Sequence, residues 1–428
     1  MNRFRQHFLG WFIPLLSLIV GVQLAHAQGP PPISLMSCHE NARNNYPSIK
    51  QLNLIEQSLA YSLQNASKGY LPQFQLFGQA TYQSDVPNVP TGVPGVFKAM
   101  LDKDQYKIYG ELNQALYDGG VIHGQKKNQQ AMAEVDKAKI EVDLFALKDR
   151  VNQLFFGILL IEEQLKQNAL LIKDLQTALL KVQAMHTHGV ATQTAVDILQ
   201  ADLLKAKQKA TELTWGKQAY VAMLSKMTGV GFDDQTQFLR PEPIEAGNEM
   251  KRPELNLFKA QQELTQTQAH LLNARAMPKL NVFAQGGYAK PGFDFFKNEM
   301  VFYYIGGVRL NWNFGAYYTL GTDKKQLNIQ RSMVNIQQES FLLNMQLAME
   351  QQNRELNKYR ELLKNDEELV TLRKSISARA LTQLENGVIQ SSDYVRELNA
   401  EDMARQNLAL HQIQYVWMVY NLKNSKGE

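Results

Sequence analysis

Cysteine is nearly absent from this chain of 428 residues: Cys38 stands alone, so no intramolecular disulfide can brace the fold. Proline is missing from Gly95 to Arg240 and again from Gly292 to the end. An interior proline costs a helix about 3 kcal/mol, so both gaps leave room for very long helices. Charge of one sign is not in excess. The formal net charge is +4, from 45 basic and 41 acidic residues, well short of the basic excess of a nucleic-acid binder. Catalytic signatures are missing as well: no P-loop, Gly-x-Ser-x-Gly, His-Glu-x-x-His or Cys-x-x-Cys occurs. No catalytic residue, cofactor or resident metal is expected on that ground. Beyond residue 27 no apolar run approaches the roughly 18 residues of a membrane helix. If that part of the chain spans a membrane, it must do so as a β-barrel.

The one long apolar stretch, Leu9 to Leu24, follows Arg3 and Arg5 and precedes Ala25-His26-Ala27. That is the anatomy of a secretory signal peptide, expected over residues 1–27. Pro14 and the small-residue cleavage site set it apart from a transmembrane anchor. Leu35-Met36-Ser37-Cys38 loosely resembles a lipidation box, but Pro30-Pro31-Pro32 separates it from the apolar stretch. Cys38 reads better as a small apolar residue on a helix face.

The chain repeats itself. Tyr46-Pro47-Ser48-Ile49 matches Arg252-Pro253-Glu254-Leu255, and Tyr70-Leu71-Pro72-Gln73-Phe74 matches Ala276-Met277-Pro278-Lys279-Leu280, at an offset of about 206 residues. Further on the offset becomes about 198, pairing Leu112-Asn113 with Leu310-Asn311, Lys126-Lys127 with Lys324-Lys325, and Gly189-Val190 with Gly387-Val388. The first repeat is expected over residues 28–229 and the second over 252–428. Residues 230–251, holding glycine, proline and acidic residues, read as the linker.

Each repeat reads as helix, β-hairpin, very long helix, shorter helix. Helices are expected over residues 35–68, 121–186 and 191–228, then over 254–276, 320–385 and 390–423. Strands are expected over residues 72–85 and 104–116, then over 278–289 and 301–314. Each long helix would reach about 100 Å at 1.5 Å per residue. That exceeds any small globular core and implies a coiled coil or a tube of helices. The spacing agrees. Val151, Leu154, Ile158, Ile161 and Leu165 step by alternate threes and fours. So do Val196, Leu199, Leu203, Ala206, Ala210 and Leu213, and again Leu342, Met345, Met349, Gln352, Leu356, Tyr359 and Leu363.

The strands alternate in the manner of a barrel wall. Phe74, Leu76, Gly78, Ala80 and Tyr82 interleave with Gln73, Gln75, Gln79 and Thr81. Phe302, Tyr304, Val308 and Leu310 interleave with Tyr303, Arg309 and Asn311. Apolar-out and polar-in over about ten residues, with crowded aromatics such as Tyr82, Tyr106, Tyr109, Tyr288 and Trp312, is the transmembrane β-strand pattern. A soluble hairpin packed on helices is the competing reading of the same alternation. Four strands cannot close a barrel, since the smallest closed ones have about eight. Open edges in lipid are not viable, so the chain must assemble, and three copies supply twelve strands.

With these residues in view, the chain resembles the TolC outer-membrane factor family. Asn44-Asn45-Tyr46-Pro47 resembles the end of that family's opening helix, and Lys68-Gly69-Tyr70-Leu71-Pro72 its helix-to-strand turn. Leu112-Asn113-Gln114-Ala115-Leu116-Tyr117-Asp118-Gly119-Gly120 resembles its strand-to-helix turn, and Glu385-Asn386-Gly387-Val388 the turn at its periplasmic tip. The resemblance implies an α+β membrane protein. It would be a homotrimer, with a 12-stranded β-barrel in outer-membrane lipid and a long periplasmic α-helical barrel. It would be the exit duct of a tripartite efflux or type I secretion system. A periplasmic adaptor (membrane fusion protein) and an inner-membrane pump, of RND or ABC type, would open its tip.

The resemblance also picks out residues. Gly189 and Gly387 would form the tip turns. Asp393 matches a position where aspartates ring the closed entrance, but Arg396 stands where a second acid is common, and the first repeat has Ala195 with Asp197 nearby. Asp393 also reads as a first-turn carboxylate favoured by the helix dipole. Glu111 and Arg309 hold equivalent places in the two repeats, and alternation points both into the lumen. They read as pore-lining groups or as a cross-strand ion pair. His186 and His188 lack a visible third ligand, and Met345 and Met349 fall on the heptad seam. A periplasmic adaptor or structural coiled-coil protein is the alternative, though an adaptor carries one helical hairpin rather than a duplicated unit. An exported helical enzyme is a third.

Overall fold

A computed structural model describes residues 32–86, 101–233, 236–244, 247, 249–294 and 297–428. The expected signal peptide, much of the first hairpin loop and parts of the linker lie outside the described residues. The chain runs α1 (Leu35–Asn45), α2 (Ile49–Ser67), β1 (Gln73–Tyr82), β2 (Asp104–Tyr117), α3 (Val121–Thr187) and α4 (Gln193–Thr228). It continues as α5 (Pro253–Arg275), β3 (Lys279–Lys290), β4 (Val301–Asn311), α6 (Ala316–Glu385) and α7 (Ser391–Lys426).

The two proline-free stretches hold the long helices. α3 has 67 residues and α6 has 70, each about 100 Å long. Each reverses at a glycine with positive φ, Gly189 at 75° and Gly387 at 69°, a conformation that costs glycine little. α4 then starts from Thr192, whose side chain accepts the Ala195 N–H, and α7 from a capping box of Gln390 and Asp393.

The expected single helix over residues 35–68 is two helices. Tyr46 is extended, with ψ 129°, and α2 starts only at Ile49. Pro47 causes the break, because its ring disfavours α geometry in the preceding residue and it has no N–H to give. Several boundaries also differ: β1 ends at Tyr82 rather than near 85, and α7 runs to Lys426 rather than 423. α6 begins at Ala316 rather than near 320. β4 ends at Asn311 rather than near 314, where Trp312 turns to donate to the Ala276 carbonyl at 3.2 Å.

Side-chain packing gathers distant segments. At mid-height, Leu35, Cys38 and Ala42 of α1 meet Val151, Phe155, Phe156 and Ile158 of α3, Leu224 of α4, and Ile413 and Val416 of α7. Trp417 stacks on Phe156 at 6.0 Å. Each large apolar side chain buried there contributes about 1.5–3 kcal/mol. Burial pushes the Cys38 thiol up to about 12, so it packs as an inert apolar group. At the tip, Leu175 and Val182 of α3 and Leu199 and Leu203 of α4 close onto Leu384 of α6 and Leu398 of α7. This binds the two long hairpins together near their turns. Just to the sheet side of mid-height, Arg252 lies over Phe145 of α3 at 4.6 Å and Phe341 of α6 at 5.7 Å, anchoring the start of α5 to both.

The four strands form one antiparallel sheet in the order β1-β2-β3-β4. β2 and β3 pair although α3, α4 and α5 lie between them in sequence. β1 and β4 each have a partner on one side only.

Candidate functional site

The pleat gives the sheet two unlike faces. The register places Phe74, Leu76, Ile108, Leu112, Val282, Tyr304, Val308 and Leu310 on one of them. These side chains are largely open: Leu76 is 70% exposed and Tyr304 79%. So large a continuous apolar surface is not left to water in a stable fold.

The opposite face is polar and partly closed. Gln75, Glu111 and Gln285 stand opposite one another on β1, β2 and β3. Arg309 of β4 is opposite Asn281, and its guanidinium lies 4.3 Å over the Phe283 ring. It thereby reaches back to donate to Glu111 at 2.9 Å, while the Gln285 amide donates to the other oxygen at 2.5 Å. Glu111 is 7% exposed, and both its oxygens are satisfied. The structure thus joins the two sequence-selected residues in one network spanning three strands. Alternation placed Glu111 and Arg309 on one face, but the diagonal reach over Phe283 leaves no trace in the sequence. Among the crowded aromatics, Tyr109 and Tyr303 share the face of Glu111, whereas Tyr82, Tyr106, Tyr288 and Phe302 share the apolar one. Their odd or even spacing from Glu111 and Arg309 was the signal that separates them.

The second candidate region is the helical tip. Gly189 and Gly387 bring the two turns together around a cleft of about 270 Å³ lined by Val182, Met185, Ile198, Leu384 and Ile389. Lys181 of α3 and Glu385 of α6 form an ion pair beside it. Asp393 accepts from the Gln390 N–H at 3.4 Å as part of the capping box, and Arg396 lies 3.5 Å from its carboxylate. Asp197 accepts from Gln193 at 2.7 Å. Both aspartates therefore serve their own helices within one chain. His186 bonds through Nδ1 to the Ala191 carbonyl at 2.9 Å. Among the described residues no group of three His, Cys, Asp or Glu is placed to hold a metal ion.

Titratable groups missed in the sequence lie where α7 packs in the bundle. Burial raises the Asp402 carboxyl to about 6, against the pull of the Gln406 amide and Arg405. Burial and the nearby Asp174, Glu401 and Glu385 push Tyr394 to about 12. Near mid-height, burial lowers His39 to about 4, and its Nε2 bonds Asn152 Oδ1 at 2.8 Å.

No protein-family model and no curated protein matches the sequence. Solved structures do match. CusC, described by its conformational changes on folding and transmembrane channel formation, superposes with a TM-score of 0.69 at 11% identity, covering 92% of each chain. The CmeC outer membrane channel of Campylobacter jejuni gives 0.65 at 12% identity, over 92% of this chain and 85% of that one. The outer membrane protein VceC of Vibrio cholerae gives 0.64 at 11%, over 91% and 96%. This chain has the fold of the outer-membrane channels. At such identities the likeness is one of fold. None of the described helices is long and apolar enough to cross a membrane.

Proposed function

We propose that the chain is the outer-membrane exit duct of a tripartite efflux or type I secretion system. It is a passive channel rather than an enzyme. The observation that carries this reading is the four-stranded sheet. Its apolar face is exposed, its polar face is networked, and β1 and β4 each lack a second neighbour. An apolar face with free edges is stable only when the edges are paired and the face meets lipid. Three copies joined β1 to β4 close a twelve-stranded barrel with no edge. The residues 28–229 and 252–428 then act as two repeats joined by 230–251, each giving one hairpin to the barrel and one helical hairpin to a periplasmic tube.

In this reading Glu111 and Arg309 line the barrel lumen and nearly cancel in charge. The tip, with Gly189, Gly387, Asp197, Asp393 and Arg396, is the periplasmic entrance. It meets a periplasmic adaptor and an inner-membrane pump of RND or ABC type, whose binding opens it. The tip core of Leu175, Leu199, Leu384 and Leu398 supports a closed state that such binding must loosen.

The test is the oligomeric mass of the chain extracted from outer membranes in mild detergent. A heat-modifiable trimer is expected. A water-soluble monomer would remove the barrel and the duct with it.

A further inference from the structure

The polar face carries a feature beyond the Glu111 network, one level nearer the loop ends of the strands. Phe77, Tyr109, Gly287 and Tyr303 stand opposite one another across all four strands. Phe77 stacks on Tyr109 with centroids 5.1 Å apart and planes at 21°. Gly287 separates Tyr109 from Tyr303, and nothing larger fits there. A Cβ on it would lie 2.5 Å from the Cα and Cβ of Tyr109 and 2.1 Å from the Ile108 carbonyl oxygen. With no side chain in between, the two tyrosines share one cation. Lys107 Nζ lies 4.4 Å from the Tyr109 centroid and 5.1 Å from that of Tyr303. Phe293, from the segment after β3, meets Tyr303 edge-on at 4.9 Å.

Aromatics in barrels ordinarily gather at the two lipid interfaces on the outer face. This row lies on the other face. Tyr303 is 6% exposed, while its outer-face neighbours Phe302 and Tyr304 are 61% and 79% exposed. The rings brace one another and Lys107, so they cannot fold aside independently. Barrel size makes the row consequential. About eight strands leave an interior that side chains fill, and sixteen to eighteen leave an open water channel. Twelve strands fall between, so three rings per chain at one level decide the bore.

Resting on the trimeric barrel reading, we propose that Phe77, Tyr109 and Tyr303 form a rigid constriction in the barrel. It excludes bulky solutes, and its three Lys107 ammonium groups disfavour cations. It is a selectivity element separate from the helical tip, acting on cargo already past the entrance.

The test uses cysteine access from outside intact cells. Cys38 is 1% exposed and buried in the core, so an introduced thiol is the one that reacts. Gln75→Cys places a thiol on the polar face, one level to the helix side of the row, at an exposed site. A small methanethiosulfonate reagent should label it, and a polyethylene-glycol maleimide should not. Tyr109→Ala with Tyr303→Ala should speed labelling by the bulky reagent at least tenfold. Tyr303→Phe should keep the exclusion, because the Tyr303 hydroxyl has no hydrogen-bond partner among the described residues. Lys107→Glu should raise the labelling ratio of a small cationic reagent over a small anionic one, and gives a readout if the double alanine variant fails to assemble. Bulky labelling that is equally fast with the row intact, or equally absent once it is removed, would overturn the constriction. An unchanged charge ratio would overturn the role of Lys107. Leu76→Cys separates failure of the barrel itself. Facing lipid, it should resist both water-soluble reagents, and rapid labelling there would overturn the barrel reading and the constriction together.

Discussion

Removing Arg309 should destabilise the sheet more than removing Glu111, although the two are partners in one ion pair. The reason is their unequal burial. The Arg309 side chain is 42% exposed, whereas that of Glu111 is 9% exposed. In Arg309→Met an apolar side chain replaces the guanidinium beside Phe283, and the buried carboxylate loses its cation and keeps only the neutral Gln285 and Asn113 amides. Stripping the partner from a fully buried charge costs about 3–5 kcal/mol. Half-exposure of Arg309 brings the expectation down to about 2–3 kcal/mol, close to the worth of a hydrogen bond to a charged group. In Glu111→Gln the freed guanidinium can turn to water, so the loss should be about 1 kcal/mol, in the range of exposed pairs. The double variant buries no charge, and should recover most of the loss seen in Arg309→Met. The assay is the urea midpoint of the detergent-solubilised protein at fixed concentration and neutral pH. A gap of about 1.4 kcal/mol between the single variants is a tenfold difference in the equilibrium constant and is readily measured. Equal losses for both, or a double variant no better than Arg309→Met, would refute the argument from unequal burial.

Asp402 and His39 should give opposing pH slopes. Asp402 is raised to about 6, so its contribution is whole below about pH 4 and is lost as pH rises through 6. His39 is lowered to about 4, so its contribution is whole above about pH 6.5 and is lost as pH falls through 4. Relative to the parent, Asp402→Asn should gain urea resistance as pH rises over that window and His39→Gln should lose it; parallel profiles would refute both assignments. Leu199→Ala, at a fully buried position joining α4 to the tip core, should cost about 2–5 kcal/mol. It should hasten proteolysis near Gly189 and Gly387 while leaving the sheet intact, and unchanged cleavage would show that this core does not hold the tip. Asp393→Asn should weaken cation preference or divalent block in bilayer recordings. Because Arg396 lies 3.5 Å from Asp393 the effect should be modest, and no change in either would remove Asp393 from the entrance.

Much of the architecture was legible because it obeys short-range rules. The steps of three and four at Val196, Leu199, Leu203 and Ala206 predicted a buried seam, and all four are buried on α4. The alternation from Gln73 to Tyr82 predicted a strand with one apolar side, and β1 has it. Positive φ at Gly189 and Gly387 was readable from glycine just past a periodic stretch. At one break, a local rule overrides the longer pattern. The helical periodicity over residues 35–68 hid the break at Pro47, although proline and its neighbour carried the signal. Crowding along the strands groups the aromatics together in sequence, and the pleat divides them between two faces.

The candidate sites were legible only in part, since a site depends on which residues meet. Sequence alone determined the composition of each element, its period, and hence which side chains share a face, because backbone geometry repeats every two or every 3.6 residues. Tertiary structure decided the rest. It set β2 against β3 across the whole of α3, α4 and α5, and so laid Tyr109, Gly287 and Tyr303 in one row. It carried Arg309 over Phe283 to Glu111, and it buried Asp402 and His39 far enough to move their protons. Strand register, diagonal reach and burial are properties of packing between distant segments, and no local period encodes them.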